Sequence, residues 1–168
     1  MSIGTAVSLE HYLAHVYEPD CDFVDGEIEE RNVGERTHAQ LQLKVGAYLL
    51  GKYGPEGMQF FTEVRVQVSK TRYRIPDVCG TIGDPGEEVF TKPPFLCVEI
   101  LSPEDRMSRL EVRIQDYLTM GVPFVWVLDP STRQAYVATE ADGLREVKDG
   151  VLRTSNPNLE MVLAGLWG

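Results

Sequence analysis

The chain has 168 residues, of which 43% are hydrophobic, and its formal net charge at pH 7 is −10. This length and hydrophobic fraction predict one globular domain with its own core and leave little room for a second domain. The negative charge excludes a broadly basic surface, so a polyanionic substrate would need a local basic patch or metal ions.

Cysteine usage and hydropathy indicate the compartment. Cys21, Cys79 and Cys97 are odd in number and have no paired spacing, which predicts reduced thiols and a cytoplasmic protein. No segment approaches the roughly 20 apolar residues of a membrane span, so we expect no membrane partner.

The first third of the chain predicts two helices separated by a hairpin. Residues 8–17 repeat apolar side chains at helical spacing, which indicates a short amphipathic helix. Asp25-Gly26 separates two short alternating runs and predicts a tight turn. Residues 37–53 predict a longer helix that ends at Gly54.

The middle of the chain changes to the period of a strand. Residues 59–69 alternate apolar and polar side chains, as a half-buried strand does, and a turn leads into residues 73–82. We predict that these two strands pair in antiparallel fashion.

A buried strand, a helix and a second buried strand follow. Residues 95–101 and 124–130 are continuous apolar runs, typical of strands covered on both faces. Between them, residues 102–121 predict a helix that is entered at Ser102 and Pro103 and ended by a glycine. This order predicts a parallel crossover, and the rest of the chain resembles short strands. The predicted fold class is α/β, with an α+β mixed sheet.

Two acids interrupt these apolar runs. Asp77 follows a proline, and Glu99 lies inside the run CVEIL. A buried carboxylate is costly unless a cation or hydrogen bonds compensate it. Two converging carboxylates would form an oxygen site for Mg²⁺ or Mn²⁺, which can polarise a phosphodiester and activate water. Alternatively, each acid pairs with a nearby arginine such as Arg74 or Arg106.

Several motifs together resemble one family. The segments RYRIPDV, VEILSP and YLTMGVPFVWVLDP, with FVDGEI and THAQLQLKV before them, are similar to the Uma2 family, also called DUF820. This family belongs to the PD-(D/E)XK nuclease superfamily. The resemblance implies a single domain over residues 1–168, with a restriction endonuclease-like core, flanking helices and an N-terminal hairpin. It also implies metal-dependent hydrolysis of DNA.

The resemblance assigns roles to individual acids. Asp77 matches the aspartate after the motif proline and Glu99 the acid of the second half-motif, so both are expected to be catalytic and to bind the metal. Glu63 occupies a position where the family often carries an acid, and we include it among the catalytic residues, although it could equally face solvent. Glu35 and His38 could supply a helix-borne polar group, or could have a capping or surface role.

The chain lacks the lysine of the standard superfamily motif. Leu101 occupies the lysine position of the standard motif. The family resembled here usually carries its cation on the following helix, four residues before the tyrosine that matches Tyr117, and that position is Arg113. Arginine stays protonated and can stabilise negative charge, but it is a poor general base. Gln115 and Lys44 are possible substitutes.

Basic residues near the motifs could form the local patch that an acidic nuclease needs. Solvation of the surface explains each of them equally well. They are Lys70, Arg72, Arg74, Arg106 and Arg109.

Two functions therefore remain open. The first is a Mg²⁺-dependent endonuclease acting on nucleic acid, with DNA as the expected substrate; a homo-oligomer is expected because a two-fold dimer suits cutting of both strands. The second is a catalytically degenerate protein of the same fold that binds nucleic acid or protein.

Overall fold

The structure is a computed structural model that describes residues 6–32 and 35–167. In this part of the chain, three α-helices and twelve strands confirm the α/β class. They are α1 (Leu9–Ala14), β1 (Cys21–Val24), β2 (Glu27–Glu30), α2 (Arg36–Tyr53), β3 (Met58–Thr62), β4 (Val66–Ser69), β5 (Arg72–Arg74), β6 (Val78–Ile82), β7 (Leu96–Ile100), α3 (Met107–Met120), β8 (Phe124–Asp129), β9 (Gln134–Thr139), β10 (Gly143–Glu146), β11 (Val151–Thr154) and β12 (Leu159–Val162).

The main sheet is mixed and has six strands in the order β10-β9-β8-β7-β6-β3. Strands β7 and β8 are parallel, with α3 between them in the chain, so the predicted crossover is confirmed. The other neighbours in this sheet are antiparallel. A second sheet has the order β2-β1-β5-β4, and β11 and β12 form a separate hairpin. No helix in the described ranges is long and apolar enough to cross a membrane.

The main sheet lies between α2 and α3. Alternate residues of β7, such as Val98, join the core cluster that includes the buried face of α2. Cys97 belongs to the other cluster, with Leu110 and Ile114 of α3. Because side chains alternate across a strand, Glu99 lies on the face of the sheet that α3 covers.

One predicted strand is two strands. The alternation over residues 59–69 predicts a single strand, but β3 pairs with β6 in the main sheet and β4 pairs with β5 in the second sheet. Glu63 lies between them with φ of 54°, in the left-handed region, and its N–H donates to the Pro76 carbonyl at 3.2 Å. The left-handed residue redirects the chain from one sheet to the other. Asp77, which we predicted inside a strand, lies just before β6.

The helix α3 begins later than predicted. Residues 102–106 form a turn in which the N–H of Ser102 donates to Asp105 Oδ2 at 2.7 Å, so Ser102 and Pro103 do not enter the helix. The predicted end is confirmed: Gly121, with φ of 107°, follows the last helical residue. Asp25 and Gly26 also have positive φ, at 51° and 93°, as the predicted tight hairpin requires.

Candidate functional site

A cleft of about 240 Å³ opens beside the N-terminal half of α2, where the segments before β6 and after β7 meet. Its walls carry both signs of charge. The acids lining it are Asp20, Glu63, Asp77 and Asp105, and the basic side chains are Arg31, His38 and Arg113.

Asp77 is fixed at the base of this cleft, with 1% of its surface exposed. Its Oδ1 accepts a hydrogen bond from Arg31 Nη2 at 2.7 Å and lies 3.3 Å from His38 Nε2. Its Oδ2 accepts the backbone N–H of Ile100 at 2.6 Å. The last bond joins the segment before β6 to the end of β7, so the fold itself orients this carboxylate.

The surroundings of Asp77 favour its charged form. Burial raises the pKa of Asp77, but Arg31, His38 and the Ile100 N–H outweigh burial, and the pKa lies below its ordinary value. The hydrogen bond to Asp77 raises the pKa of His38, against the opposing effect of burial. The site therefore favours an ionised carboxylate beside a protonated imidazole.

Glu99 lies behind the cleft and is also 1% exposed. Its Oε2 accepts from Arg113 Nη1 at 2.8 Å, and its Oε1 accepts from the Tyr117 hydroxyl at 2.7 Å. Arg113 and Tyr117 are four residues apart on α3, so they face the sheet together. Burial raises the pKa of Glu99 despite Arg113, and Glu99 raises the pKa of Arg113.

Arg113 connects Glu99 to the second sheet. Its Nε lies 3.7 Å from Asp22 Oδ2 and has no hydrogen-bond partner among the described residues, although it is buried. Asp22 accepts from Arg74 Nη1 at 3.0 Å and from the Ile75 N–H at 3.1 Å. The guanidinium of Arg113 thus lies between two acids and also lines the cleft.

Glu63 is exposed at the rim of the cleft. Gln42, on α2, donates to Glu63 Oε1 at 3.2 Å and to the Asp77 carbonyl at 2.9 Å. The structure brings Glu63, Asp77 and Arg113 to one cleft. Glu99 is held next to them through Arg113.

Sequence reasoning found the acids and Arg113, but it missed Arg31 and Asp22. Arginine pairing was one of the two alternatives, yet the partners are Arg31 and Arg113 rather than Arg74 or Arg106. Arg31 gave a weak signal, as the single basic residue at the end of the acidic hairpin strand EIEER. Asp22 gave a clearer one, since it interrupts a buried strand as Glu99 does.

The predicted basic rim is wrong for Arg74. This side chain is 2% exposed and binds Asp22, Glu29 and Asp116, so it cannot meet a substrate. Arg72 also pairs with Asp116.

The two polar residues at the start of α2 divide between the predicted alternatives. Glu35 is the N-cap of α2 but makes no side-chain capping bond, so that capping role is wrong. His38 lies in the cleft beside Asp77 rather than on an unrelated surface.

The donor chemistry of the cleft suits a hard divalent ion only in part. Carboxylate oxygens are the right ligands, but each oxygen of Asp77 and of Glu99 already accepts a hydrogen bond. Across residues 6–32 and 35–167, no group of three or more His, Cys, Asp or Glu side chains is arranged to hold a metal. An ion at these oxygens would compete with Arg31 for Asp77, and with Arg113 and Tyr117 for Glu99.

Comparisons with known proteins place this chain in a family. The Uma2 family model, described as "Putative restriction endonuclease", matches residues 9–168. No curated protein matches the chain. A crystal structure described as "a putative nuclease belonging to DUF820 from Anabaena variabilis ATCC 29413" has the same fold, with a TM-score of 0.81 and 19% identity over 96% of this chain and 97% of that one. The restriction endonuclease-like fold is thus confirmed, and the chain belongs to the Uma2 family.

Proposed function

We propose that the protein is a metal-dependent endonuclease that hydrolyses phosphodiester bonds of DNA. The observation that carries this proposal is the buried Asp77 at the base of a cleft, oriented by the Ile100 N–H and adjacent to Glu63 and Arg113. A carboxylate held this way in a family described as restriction endonucleases supports nuclease chemistry.

The metal would be Mg²⁺ or Mn²⁺, held by Asp77 and Glu99. When bound, such an ion polarises the phosphodiester and lowers the pKa of an attacking water. Arg31 Nη2 lies 2.7 Å from Asp77 Oδ1, so its guanidinium would compete with the ion for this carboxylate.

The chain's own side chains have distinct roles in this proposal. Arg113 carries a permanent charge and lines the cleft, so it can stabilise negative charge as it develops on a phosphate oxygen. Tyr117 keeps Glu99 in position through its 2.7 Å bond. Glu63, exposed at the rim, can accept a proton from water.

Cleavage by the purified protein tests the proposal. Supercoiled plasmid incubated with Mg²⁺ or Mn²⁺ should be nicked or linearised, and Asp77→Asn should abolish cleavage because it removes the charge that attracts the ion. Asp142→Asn, at an exposed turn far along the chain, is the matched control. A thermal melt establishes that Asp77→Asn is folded. If folded Asp77→Asn protein cuts as wild type does, the proposal is wrong.

One observation favours the second candidate, a catalytically degenerate binding protein. Arg31, Arg113 and Tyr117 occupy the side-chain oxygens that an ion would need. If neither wild type nor Arg113→Lys cuts any nucleic acid with Mg²⁺ or Mn²⁺, this alternative replaces the endonuclease.

The remaining features of the proposal concern assembly and location. We expect a homo-oligomer, since a two-fold dimer would present two clefts to the two strands of a duplex; light scattering measures this directly. Three free and buried cysteines support a reducing compartment, the cytoplasm.

A further inference from the structure

A second hollow lies on the opposite side of α2 from the cleft. It has a volume of about 200 Å³, and we call it the basic recess. The residues that define it here are Arg36, Gln40, Lys44, Arg133 and Trp167.

Three neighbouring hollows, which together we call the path, run from the cleft to the basic recess. The middle one has a volume of about 190 Å³; it shares His38 and Ser102 with the cleft, and Thr37 and Pro130 with the basic recess. The path passes the N-terminal end of α2. A ligand long enough could therefore occupy the cleft and the basic recess together.

The spacing of residues on α2 explains this arrangement. Arg36, Gln40 and Lys44 recur every four residues and form one flank of the helix. His38 and Gln42 form the other flank, and the buried face of α2, which packs on the sheet, separates the two. A helix with its side chains is about 10 Å across, so the path is only a few nucleotides long at about 3.4 Å per nucleotide.

The charge of the basic recess contrasts with that of the whole chain. Its three cations, Arg36, Lys44 and Arg133, have no carboxylate oxygen within 4.0 Å among the described residues. Lys44 Nζ donates to the Leu166 carbonyl at 3.2 Å, which fixes its direction without neutralising it. In a chain of net charge −10, this is a local site for an anion.

Two features along the path support a strand of nucleic acid as the occupant. The N-cap Glu35 makes no side-chain bond to the first-turn amides of α2, which leaves them able to donate. Glu35 itself is exposed and can turn to solvent. Trp167 packs against the core but is partly exposed, so a base can stack on the part of its ring that lines the basic recess.

We infer that the basic recess binds the sugar–phosphate backbone of the nucleic-acid strand whose scissile phosphate lies in the cleft. This inference rests on the proposed nuclease function and adds to it the route of the strand. It assigns Arg36, Lys44 and Arg133 to phosphate contacts, and Trp167 to a base.

Binding measured without cleavage tests the inference. Fluorescence anisotropy of a labelled single-stranded oligonucleotide in EDTA compares wild type with the triple variant Arg36→Gln, Lys44→Gln, Arg133→Asn. Gln keeps a donor for the Leu166 carbonyl, and Asn suits the positive φ of residue 133. The matched control, which removes the same charge from exposed sites outside the path, is Lys92→Gln, Arg145→Gln, Lys148→Gln.

We expect the recess variant to lose affinity on the order of tenfold and the slope of log K against log salt to fall by about 2, since each phosphate contact on a single strand contributes about 0.7. The control should keep most of the affinity. Equal affinity and slope in the recess variant and wild type would overturn the inference, and if Asp77→Asn still abolished cleavage, the proposed function would stand. Wild type that neither binds nor cuts nucleic acid would reject both.

Tryptophan fluorescence gives a second measurement that does not depend on the triple variant. Trp126 is fully buried, so quenching by the oligonucleotide should come from Trp167 and disappear in Trp167→Phe. Unchanged fluorescence in saturated wild type would overturn the stacking role. Polyglutamate that bound as tightly as the oligonucleotide would show a surface for acidic protein and would overturn the strand assignment.

Discussion

Arg113 is the cation of α3 that contacts a buried acid of the main sheet. It binds Glu99 with Nη1, while its buried Nε lies 3.7 Å from Asp22 Oδ2. The side chain also lines the cleft, so one guanidinium can hold an acid and still present positive charge to a phosphate.

Substitution of Arg113 separates these tasks. Arg113→Lys should retain or raise Mg²⁺-dependent cleavage, because lysine keeps a cation beside Glu99 and, unlike arginine, can also give up a proton. Arg113→Ala should lose on the order of a hundredfold in kcat, as removal of one transition-state donor does. Initial rates on plasmid DNA measure both, with Arg145→Ala, in an exposed pair outside the cleft, as the control. Full activity in Arg113→Ala would exclude it from the chemistry.

Protonation of His38 should make the stability of the protein depend on pH. Its pKa is raised by the hydrogen bond to Asp77, so folding favours the protonated imidazole. This stabilisation is complete below the unfolded pKa of about 6.5. It is lost as pH rises through the higher folded pKa.

An NMR titration of the histidine ring protons in EDTA measures that pKa, and the His38 resonance is assigned by its loss in His38→Gln. The pKa should exceed about 6.5 in wild type and fall in Asp77→Asn, which removes the negative charge. A His38 pKa that does not change in Asp77→Asn would contradict the pairing.

Helix α3 contacts both sheets. Leu110, Ile114 and Tyr117 are buried with the main sheet, while Asp116 accepts from Arg74 Nε at 2.8 Å. Arg74 is a buried cation, so loss of one of its acidic partners would weaken the packing of the second sheet against α3.

Asp116→Ala should therefore lower the free energy of unfolding by about 3 kcal/mol, because it leaves Arg74 buried without one of its acids. Urea denaturation measures the change. Asp142→Ala removes the partner of Arg145 in an exposed pair, and it should change stability by less than about 1 kcal/mol. Similar losses in the two variants would show that burial of Arg74 does not govern docking.

Helices and strands could be predicted from the sequence where the local spacing of apolar residues determines them. The residues that begin and end α2 lie within one residue of the prediction, and the β7-α3-β8 crossover follows from two apolar runs around an amphipathic segment. The break at Glu63 could not be predicted, because alternation of side chains continues through a left-handed residue. Arg31 and Asp22 were missed for another reason: their partners are distant in sequence and meet only through tertiary structure.

At the scale of the whole molecule, the charge is divided unequally between interior and surface. Four arginines are bound to acids in or beside the core, so their charges largely cancel there. They are Arg31, Arg72, Arg74 and Arg113. The net charge of −10 therefore belongs mainly to the surface, where the basic recess is a local exception.

The buried ion pairs also affect how the protein responds to temperature. Unfolding of 168 residues ordinarily raises the heat capacity by about 2.0 to 2.5 kcal/mol/K, and exposure of polar groups lowers this increment. Hydration of the released guanidinium and carboxylate groups should bring the value below about 2 kcal/mol/K in differential scanning calorimetry. A value at the top of the ordinary range would contradict this expectation. A smaller increment flattens the stability curve, so the fold should lose little stability on cooling towards freezing and should resist cold denaturation.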